Sequence, residues 1–466
     1  MHNALQAGLQ WWDTWRTRSV NHRIFSALMT VGGVTLAVKL VAAAKEIVVA
    51  YQFGTSDGLD AFLIAFLLPQ LAINLIAGSF NAALIPTYIQ VREQEGRREA
   101  QRLLSGIMVL SVSFLVGLSV VLALTASYIL PLVASGFSAE KLAVARSLYY
   151  GLLATLVLSG LATTWGAVLN AENRFALPAA VPMVTSIITM IVVLVTVSYW
   201  GSYALVVGTV GGALIEVGVM GWALAREGVS LIPRWCGISP AVKQVLGQYA
   251  PMIGAAFLMG GISVVSQSMA AMLDPGSVSA LAYGSKLTNL LLGIGATAVS
   301  TAVLPHFSRL VAVADWDGLR RTIAVYTRLL FMITIPITAA LIYFSEPVVA
   351  ILFQRGAFTE ADTSTVAPVQ AMYLLQVPVY VVGMLFVRLV TALKANHVMM
   401  WTNILNLSLF LVLTYILIQW WGVGGIALAT SIIYLVNTCV LSWMVLKIMN
   451  RSLPGSSSGL TSGYTQ

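Results

Sequence analysis

Five ionisable residues stand inside stretches of the sequence that are otherwise apolar. Lys39, Lys45 and Glu46 share one stretch, Lys286 lies in another, and Glu216 lies in a third. In a membrane span each charge would cost about 2.5–3.5 kcal/mol at the bilayer centre, so such residues mark substrate or ion pathways by default. The lysines therefore predict a cationic site for an anionic substrate. Glu216 predicts either a carrier of a proton or cation, or a solvated side chain, and the sequence leaves both open.

A structural interpretation competes with the cationic site. Lys45 and Glu46 are neighbours that could form an ion pair, while Lys39 and Lys286 could extend their ammonium groups to the membrane interface. At about 100° per helical residue, Lys39 and Glu46 share a helix face, whereas Lys45 points elsewhere. The segment AYGSKLTN adds Asn289 as a polar neighbour of Lys286. We favour the cationic site for the three lysines.

Two acids begin the next apolar stretch. Asp57 and Asp60 follow the residues FGTS, where a helix start is expected. Carboxylates at a helix N-terminus accept hydrogen bonds from free N–H groups and offset the helix dipole, which is the simpler interpretation. Asp60 is also retained as a candidate substrate-binding residue.

The composition places all of these residues in a membrane protein. The chain has 466 residues, of which 59% are hydrophobic and only 9% charged, and its mean hydropathy is +0.89. Soluble domains carry about a quarter charged residues. A spanning helix needs about 20 mostly apolar residues. Twelve segments meet this requirement: 25–50, 61–90, 104–131, 142–168, 178–199, 203–225, 244–273, 278–307, 324–352, 365–392, 398–420 and 423–447.

The loops between these segments predict the topology. Most of the 25 lysines and arginines fall in the loops after even-numbered spans or near the two termini. The loops of the other side contain only Lys141, Arg146 and Arg355. Since cytoplasmic loops collect positive charge, both termini are predicted to be cytoplasmic. Topology also explains the net charge of +8, so no nucleic-acid partner is expected.

The sequence repeats at an offset of about 220 residues. The matching pairs are FNAALIPTYI (80–89) with VSTAVLPHFS (299–308), LNAENRF (169–175) with LKANHVM (393–399), and YWGSYALVVGT (199–209) with WWGVGGIALAT (420–430). The repeat predicts an all-α polytopic fold with two six-helix lobes around a central cavity, related by an axis along the membrane normal. The predicted parts are a cytoplasmic N-terminal segment (1–24), an N-lobe (25–225), a linker (226–243), a C-lobe (244–450) and a disordered cytoplasmic tail (451–466).

The sequence offers little for catalysis. It has no GxxxxGK[ST] phosphate loop and no HExxH motif, and its two cysteines form no CxxC pair. We therefore expect neither an enzyme nor a metal or other cofactor. Transport energy would come from an ion gradient, the membrane potential or the substrate gradient.

An ordered set of motifs resembles the MurJ/MviN family of lipid II flippases. The opening segment contains Lys39, the pair Lys45–Glu46, then FG, DAF and LP, within 39–71. Further matching motifs are AGSFNAALIP (77–86), LNAENRFALPA (169–179), AYGSKLTNLLLGIGATAVSTAVLP (282–305) and LFQRGAFT (352–359). The resemblance covers most of residues 25–445 and extends to the multidrug/oligosaccharidyl-lipid/polysaccharide exporter superfamily.

The resemblance implies a flippase of the bacterial inner membrane that acts by alternating access. Its substrate would be an undecaprenyl-diphosphate-linked saccharide, moved from the cytoplasmic to the periplasmic leaflet, with membrane lipid and possible coupling ions as its other partners. By motif position, Lys39, Lys45 and Lys286 would bind the diphosphate, although the family commonly has arginine there. A lysine is a point charge and lacks the bidentate geometry of arginine.

Two departures from the family bear on the cargo. Where the family commonly has paired arginines and an acid, the stretch LPQLAINLIAGSF (68–80) has Asn74 and Ala77. The family usually has fourteen spans, and twelve are expected here. Both departures leave open an exopolysaccharide repeat unit instead of lipid II. With Glu46, Asp60 and Asn289, Asn74 completes the candidate substrate-binding residues.

Two other function classes fit the sequence less well. A cation-coupled multidrug exporter of the same superfamily should have more cavity acids than bases, whereas here three lysines exceed Glu46 and Glu216. A membrane glycosyl ligase or polymerase would need long periplasmic loops with arginines and acids, and the predicted periplasmic loops are short.

Overall fold

All regular secondary structure in the described part of the chain is helical. The computed structural model describes residues 20–451 except 173, 229–234, 236, 238, 394 and 396; side chains are left aside at 20–31, 76–83, 248–259 and a few single positions. The helices are α1 (Val20–Phe53), α2 (Asp57–Gln94), α3 (Arg97–Val133), α4 (Ala139–Ala171), α5 (Ala176–Ala180), α6 (Pro182–Trp200), α7 (Tyr203–Arg226), α8 (Pro240–Ala270), α9 (Ser277–Ala312), α10 (Trp316–Tyr343), α11 (Ser345–Phe353), α12 (Glu360–Leu374), α13 (Gln376–Ala392) and α14 (His397–Arg451).

These helices confirm the predicted all-α polytopic fold. Within the described residues, nine helical stretches are long and apolar enough to cross a membrane. One of them, Trp401–Met449, is 49 residues long and covers two predicted spans. The exact number of twelve spans remains a prediction. The N-terminal segment up to residue 19 and the tail from 452 lie outside the described residues.

Short polar side chains begin several helices. Ser56 accepts a hydrogen bond from the N–H of Leu59, and Ser138 accepts one from the N–H of Lys141. Thr359 and Asp362 form a capping box, in which each side chain accepts from the other residue's N–H. Such caps satisfy the N–H groups that lack a partner in the first helical turn. The N-cap of α2 is therefore Ser56, and the predicted caps Asp57 and Asp60 lie within its first turn.

The chain divides into two compact units. Unit 1 comprises residues 1–260 with 355–358, and unit 2 comprises 261–354 with 359–466. The predicted boundaries at 225 and 244 remain predictions. In unit 1, α2 packs against α4, α4 against α7, and α6 against α7. In unit 2, α9 packs against α12 and α13, and both of these pack against α14.

The backbone of the two units repeats as the sequence does. Gly201 separates α6 from α7 with φ 52° and ψ −131°, and Gly422 interrupts α14 with φ 50° and ψ −129°. Positive φ at these values is accessible mainly to glycine. Ser138 and Thr359, which cap α4 and α12, are separated by the same offset of about 220 residues. Equivalent hairpins and helix starts thus occur at equivalent positions.

Candidate functional site

The predicted cations of unit 1 lie on α1. Lys39 is exposed, as are its helical neighbours Leu36 and Leu40. Lys45 Nζ lies 2.9 Å from Glu46 Oε1, and both side chains are half-buried. The structure thus contains the Lys45–Glu46 ion pair that the structural interpretation expected. An ammonium that already has a carboxylate partner can bind a diphosphate only by exchanging or sharing that partner.

The C-terminal end of α1 is fixed by a distant segment of unit 1. The N–H of Ala357 donates to the carbonyl of Tyr51 at 2.8 Å. Gly356 has φ 61° and packs so closely on Tyr51 that a Cβ at this position would collide with the Tyr51 backbone and ring. The motif LFQRGAFT therefore contributes its glycine to the end of the lysine-bearing helix.

Asp60 is held by a residue that the sequence reasoning did not connect with it. The carboxylate of Asp60 is 1% exposed, and its Oδ2 lies 3.0 Å from Lys141 Nζ. Lys141 also pairs with Asp57 and lies over the ring of Phe137, 4.2 Å from its centroid. Asp60 begins the second predicted span and Lys141 precedes the fourth, so the predicted topology puts both at the same side of the membrane. Their separation along the chain concealed the contact.

Lys286 lies on α9 in unit 2 and is half-buried. Its helical neighbour Asn289 is exposed, whereas Thr288 is buried. Within the described part of the chain, the Thr288 hydroxyl has no hydrogen-bond partner. One turn earlier, Gly284 lets α9 approach Val369 of α12, because a Cβ there would lie 2.7 Å from Val369 Cγ1.

Asn74 lies on the exposed side of α2, one turn after Gln70. Gln70 Nε2 donates to Asn74 Oδ1 at 2.9 Å. This uncharged pair occupies the stretch in which the resembling family commonly has arginines. Ala77, the other departure, lies among the side chains outside the described set.

Glu216 has a partner that the sequence did not reveal. The hydroxyl of Thr185, on α6, donates to Glu216 Oε2 on α7 at 2.8 Å. Both side chains are half-buried. Glu216 is therefore hydrogen-bonded across a helix pair.

A polar cluster at the C-terminal end of α2 was also missed. Tyr88 donates to Glu172 Oε1 at 3.1 Å, and Arg92 Nη1 lies 2.9 Å from Glu172 Oε2. Hydrogen bonding to Glu93 and the charge of Glu172 raise the pKa of Arg92 above its ordinary value. Nearby, Arg174 pairs with Glu227 at 2.9 Å. These contacts join the ends of α2, α4 and α7 in unit 1.

Comparison with protein families gives one long match. The family model described as "Lipid II flippase MurJ" matches residues 49–458. Among curated proteins, the chain is 28% identical to the probable lipid II flippase MurJ of Synechocystis sp. over 438 residues, or 91% of this chain and 81% of that protein. It is 28% identical to the lipid II flippase MurJ of Burkholderia cenocepacia over 360 residues, or 75% of this chain and 70% of that protein.

Solved structures show the same fold. A lipid II flippase MurJ in an inward closed conformation matches with a TM-score of 0.75 and 22% identity, covering 91% of this chain and 90% of that one. An inward-facing multidrug resistance MATE family transporter of the MOP superfamily matches with a TM-score of 0.72 and 12% identity, covering 92% and 99%. At these identities the structural matches establish the fold alone.

Proposed function

The chain belongs to the lipid II flippase family MurJ, and from this premise we propose that it translocates lipid II from the cytoplasmic to the periplasmic leaflet. In this proposal Lys39, Lys45 and Lys286 neutralise the diphosphate, while the polyprenyl tail stays in lipid. The protein lies in the bacterial inner membrane with both termini in the cytoplasm. Head-group binding favours occlusion, the access then switches to the periplasmic side, and a coupling ion or the membrane potential resets the empty carrier.

The diphosphate assignment rests on the exposure and pairing of the two lysines on α1. Lys39 is exposed on an apolar helix, and Lys45 is paired with the adjacent Glu46. Charged hydrogen bonds to phosphate are stronger than neutral ones, so a diphosphate can compete with Glu46 for Lys45. Glu46 then acts as the resident counter-ion that the substrate replaces. The half-buried Lys286 supplies the third ammonium from α9.

Reconstituted vesicles test this assignment. The triple variant Lys39→Gln, Lys45→Gln, Lys286→Gln should lose flipping of lipid II by about tenfold or more, because each lost charge-assisted contact is worth about 1.5–3 kcal/mol. Lys243→Gln is the matched control, since Lys243 is an exposed lysine of α8 outside the proposed site. Normal flipping by the triple variant, at an incorporation equal to that of the control, would refute the three-lysine assignment.

A second cargo is favoured by one observation. The uncharged pair Gln70–Asn74 occupies a stretch where the family commonly has arginines. A lipid-linked exopolysaccharide repeat unit, as the cargo in place of lipid II, would be consistent with the loss of positive charge in this stretch. Expression of the chain in cells depleted of their own lipid II flippase separates the two cargoes. Rescue of growth supports lipid II, whereas failure of a correctly inserted protein to rescue supports the exopolysaccharide unit.

The multidrug exporter remains the alternative from another class. It predicts extrusion of small amphipathic cations that depends on Glu46 or Glu216. Drug resistance conferred by the chain and abolished by Glu46→Gln, together with no lipid flipping in vesicles, would favour that alternative over the flippase.

A further inference from the structure

The hydrogen bond between Thr185 and Glu216 has a counterpart in the other unit. Asn406 Nδ2 donates to Asn437 Oδ1 at 2.9 Å in unit 2, and Thr185 Oγ1 donates to Glu216 Oε2 at 2.8 Å in unit 1. Asn406 follows Thr185, and Asn437 follows Glu216, by the same offset of about 220 residues that relates Gly422 to Gly201. The two hydrogen bonds therefore occupy equivalent positions in the internal repeat.

Close helix packing fixes the position of Glu216. A Cβ on Gly208 would lie 2.7 Å from Thr189 Cα, and one on Gly212 would lie 2.6 Å from Thr185 Cα. Gly208, Gly212 and Glu216 are spaced four residues apart, so they share the face of α7 that contacts α6. Small residues at such spacing let helix backbones approach closely in membranes. The carboxyl group of Glu216 thus lies at the end of a tight glycine contact, opposite a hydroxyl donor.

The two hydrogen-bonded pairs differ in whether the acceptor side chain can ionise. In unit 2 a neutral amide acceptor makes the same hydrogen bond between the equivalent helical segments. Joining the helices therefore does not require an ionisable group. Glu216 makes this bond and adds a carboxyl group that can change its charge, in a segment where a permanent charge is unfavourable.

The other titratable groups of α7, and those of the helices α4 and α6 that pack against it, lie away from Glu216 along these helices. On α4, the hydroxyls of Tyr149 and Tyr150 donate to the carbonyls of Leu122 and Ala123. The next residue, Gly151, packs on Val206 of α7, which is ten residues before Glu216. The remaining groups are Glu140, Lys141 and Arg146 in the first two turns of α4, Tyr199 at the end of α6, and Tyr203 and Arg226 at the ends of α7. Arg226 lies over the ring of Trp222, 3.8 Å from its centroid.

We propose that Glu216 is a proton-binding site and that it is the ion-coupling group of this transporter. A proton from the aqueous phase adds to the carboxylate and gives a neutral carboxylic acid, which still accepts from the Thr185 hydroxyl. The loaded site then has the neutral character of the Asn406–Asn437 pair, and release of the proton restores the carboxylate. Proton binding itself is independent of the cargo; its link to transport rests on the proposed flippase activity.

Modification by a hydrophobic carbodiimide tests proton binding without any substrate. Such reagents add to protonated carboxyl groups in apolar surroundings. Peptide mass spectrometry of the full-length protein should find Glu216 modified at low pH, with modification falling as pH rises between about 5 and about 9, the range that covers ordinary and strongly perturbed carboxyl groups. The ion-paired Glu46 and the exposed Glu360 should stay unmodified.

The repeat provides a matched positive control. Asn437→Asp replaces the amide by a carboxyl group of the same shape opposite Asn406, and this group should be modified with a similar fall as pH rises. Modification of the introduced Asp carboxyl without modification of Glu216 at any pH would overturn the proton-binding proposal. Equal modification of Glu216 across the whole pH range would also overturn it.

A transport measurement tests the coupling. The ratio of flipping rates with and without a pH gradient should exceed one for the natural chain, whereas the two rates should become equal for Glu216→Gln. Gln retains an acceptor for Thr185, so it keeps the helix contact. An unchanged response of Glu216→Gln to the gradient would refute coupling, even if modification shows proton binding. Absence of lipid flipping in every variant, with normal modification, would refute the proposed function and leave the proton site standing.

Discussion

Two helix junctions, one in each unit, are held by different chemistry. In unit 1, the beginnings of α2 and α4 are joined by Lys141, which pairs with Asp57 and with the buried Asp60. In unit 2, α12 is joined to the preceding helix α11 by neutral groups: Ser345 donates to the carbonyl of Ala367 at 2.8 Å and accepts from Gln370 at 3.2 Å. Thr363 donates to Gln354 at 3.1 Å.

The difference predicts that the two junctions respond differently when a side chain is removed. A neutral hydrogen bond that loses one partner leaves one polar group unsatisfied, whereas a buried ion pair that loses one partner leaves an uncompensated charge. The ion-paired junction of unit 1 should therefore respond more strongly to single substitutions than the neutral junction of unit 2. Measurements of unfolding in detergent can test this ranking directly.

The largest effect is expected at the ion pair of unit 1. Lys141→Met removes the ammonium that lies 3.0 Å from the buried Asp60 carboxylate. The free energy of unfolding should fall by about 3–5 kcal/mol, the usual cost of breaking a buried pair. Adding Asp60→Asn should recover part of the loss, because the buried charge disappears. A loss no greater than that of Lys243→Met, at an exposed site, would contradict the comparison.

Glycine contacts should show the next largest effect. Gly212→Ala in unit 1 would bring a Cβ within 2.6 Å of a backbone atom, Thr185 Cα. Gly295→Ala in unit 2 instead meets Val381 Cγ2, a side-chain atom that can rotate away. We expect Gly212→Ala to destabilise by up to about 3 kcal/mol and Gly295→Ala by less. Gly218→Ala, with open space around it, serves as the control in thermal unfolding.

The neutral junction of unit 2 should respond more weakly than the ion pair. Ser345→Ala removes the acceptor of the fully buried Gln370 and the donor to Ala367. A loss of about 1–2 kcal/mol is expected, since a buried polar group is left without its partner. Ser364→Ala, at an exposed serine of α12, is the control. A loss as large as that of Lys141→Met, in the same unfolding assay, would remove the distinction between the units.

The smallest effect on stability is expected at the half-exposed pair on α1. Lys45→Gln breaks its ion pair with Glu46, whose side chains are 29% and 22% exposed. Solvent-accessible pairs contribute about 0–1 kcal/mol, so unfolding should change little. Flipping should nevertheless fall, because the proposed diphosphate contact is lost. A large loss of stability would show that the pair is chiefly structural and would weaken its assignment to the substrate.

The sequence predicted the fold better than it predicted contacts. Apolar segments of spanning length and the internal repeat were sufficient for the helices, since the bilayer excludes most other structures. The repeat also aligned Gly201 with Gly422, which bend equivalent helix pairs. The contact of Asp60 with Lys141 depends instead on how α2 and α4 pack, and neither helix alone reveals it.

The partner of Glu216 was missed for a similar reason, although a signal was present. Thr185 and Glu216 match Asn406 and Asn437 at one common offset, so two polar pairs coincide under the repeat. Comparing polar residues between the halves, and not only the small-residue motifs, would have suggested both contacts. The three lysines remain predicted substrate ligands.

The glycine hairpins also provide matched attachment points for spectroscopic probes. Tyr199 and Trp420 precede Gly201 and Gly422 by two residues, and their side chains are 86% and 73% exposed. Neither hairpin glycine has a neighbouring atom within 4 Å of its Cβ position, so a bulky label nearby meets little obstruction. With Cys236 and the exposed Cys439 both replaced, cysteines at 199 and 420 would place one spin label on each unit. Distances between the labels would then report directly on how the units move during a transport cycle.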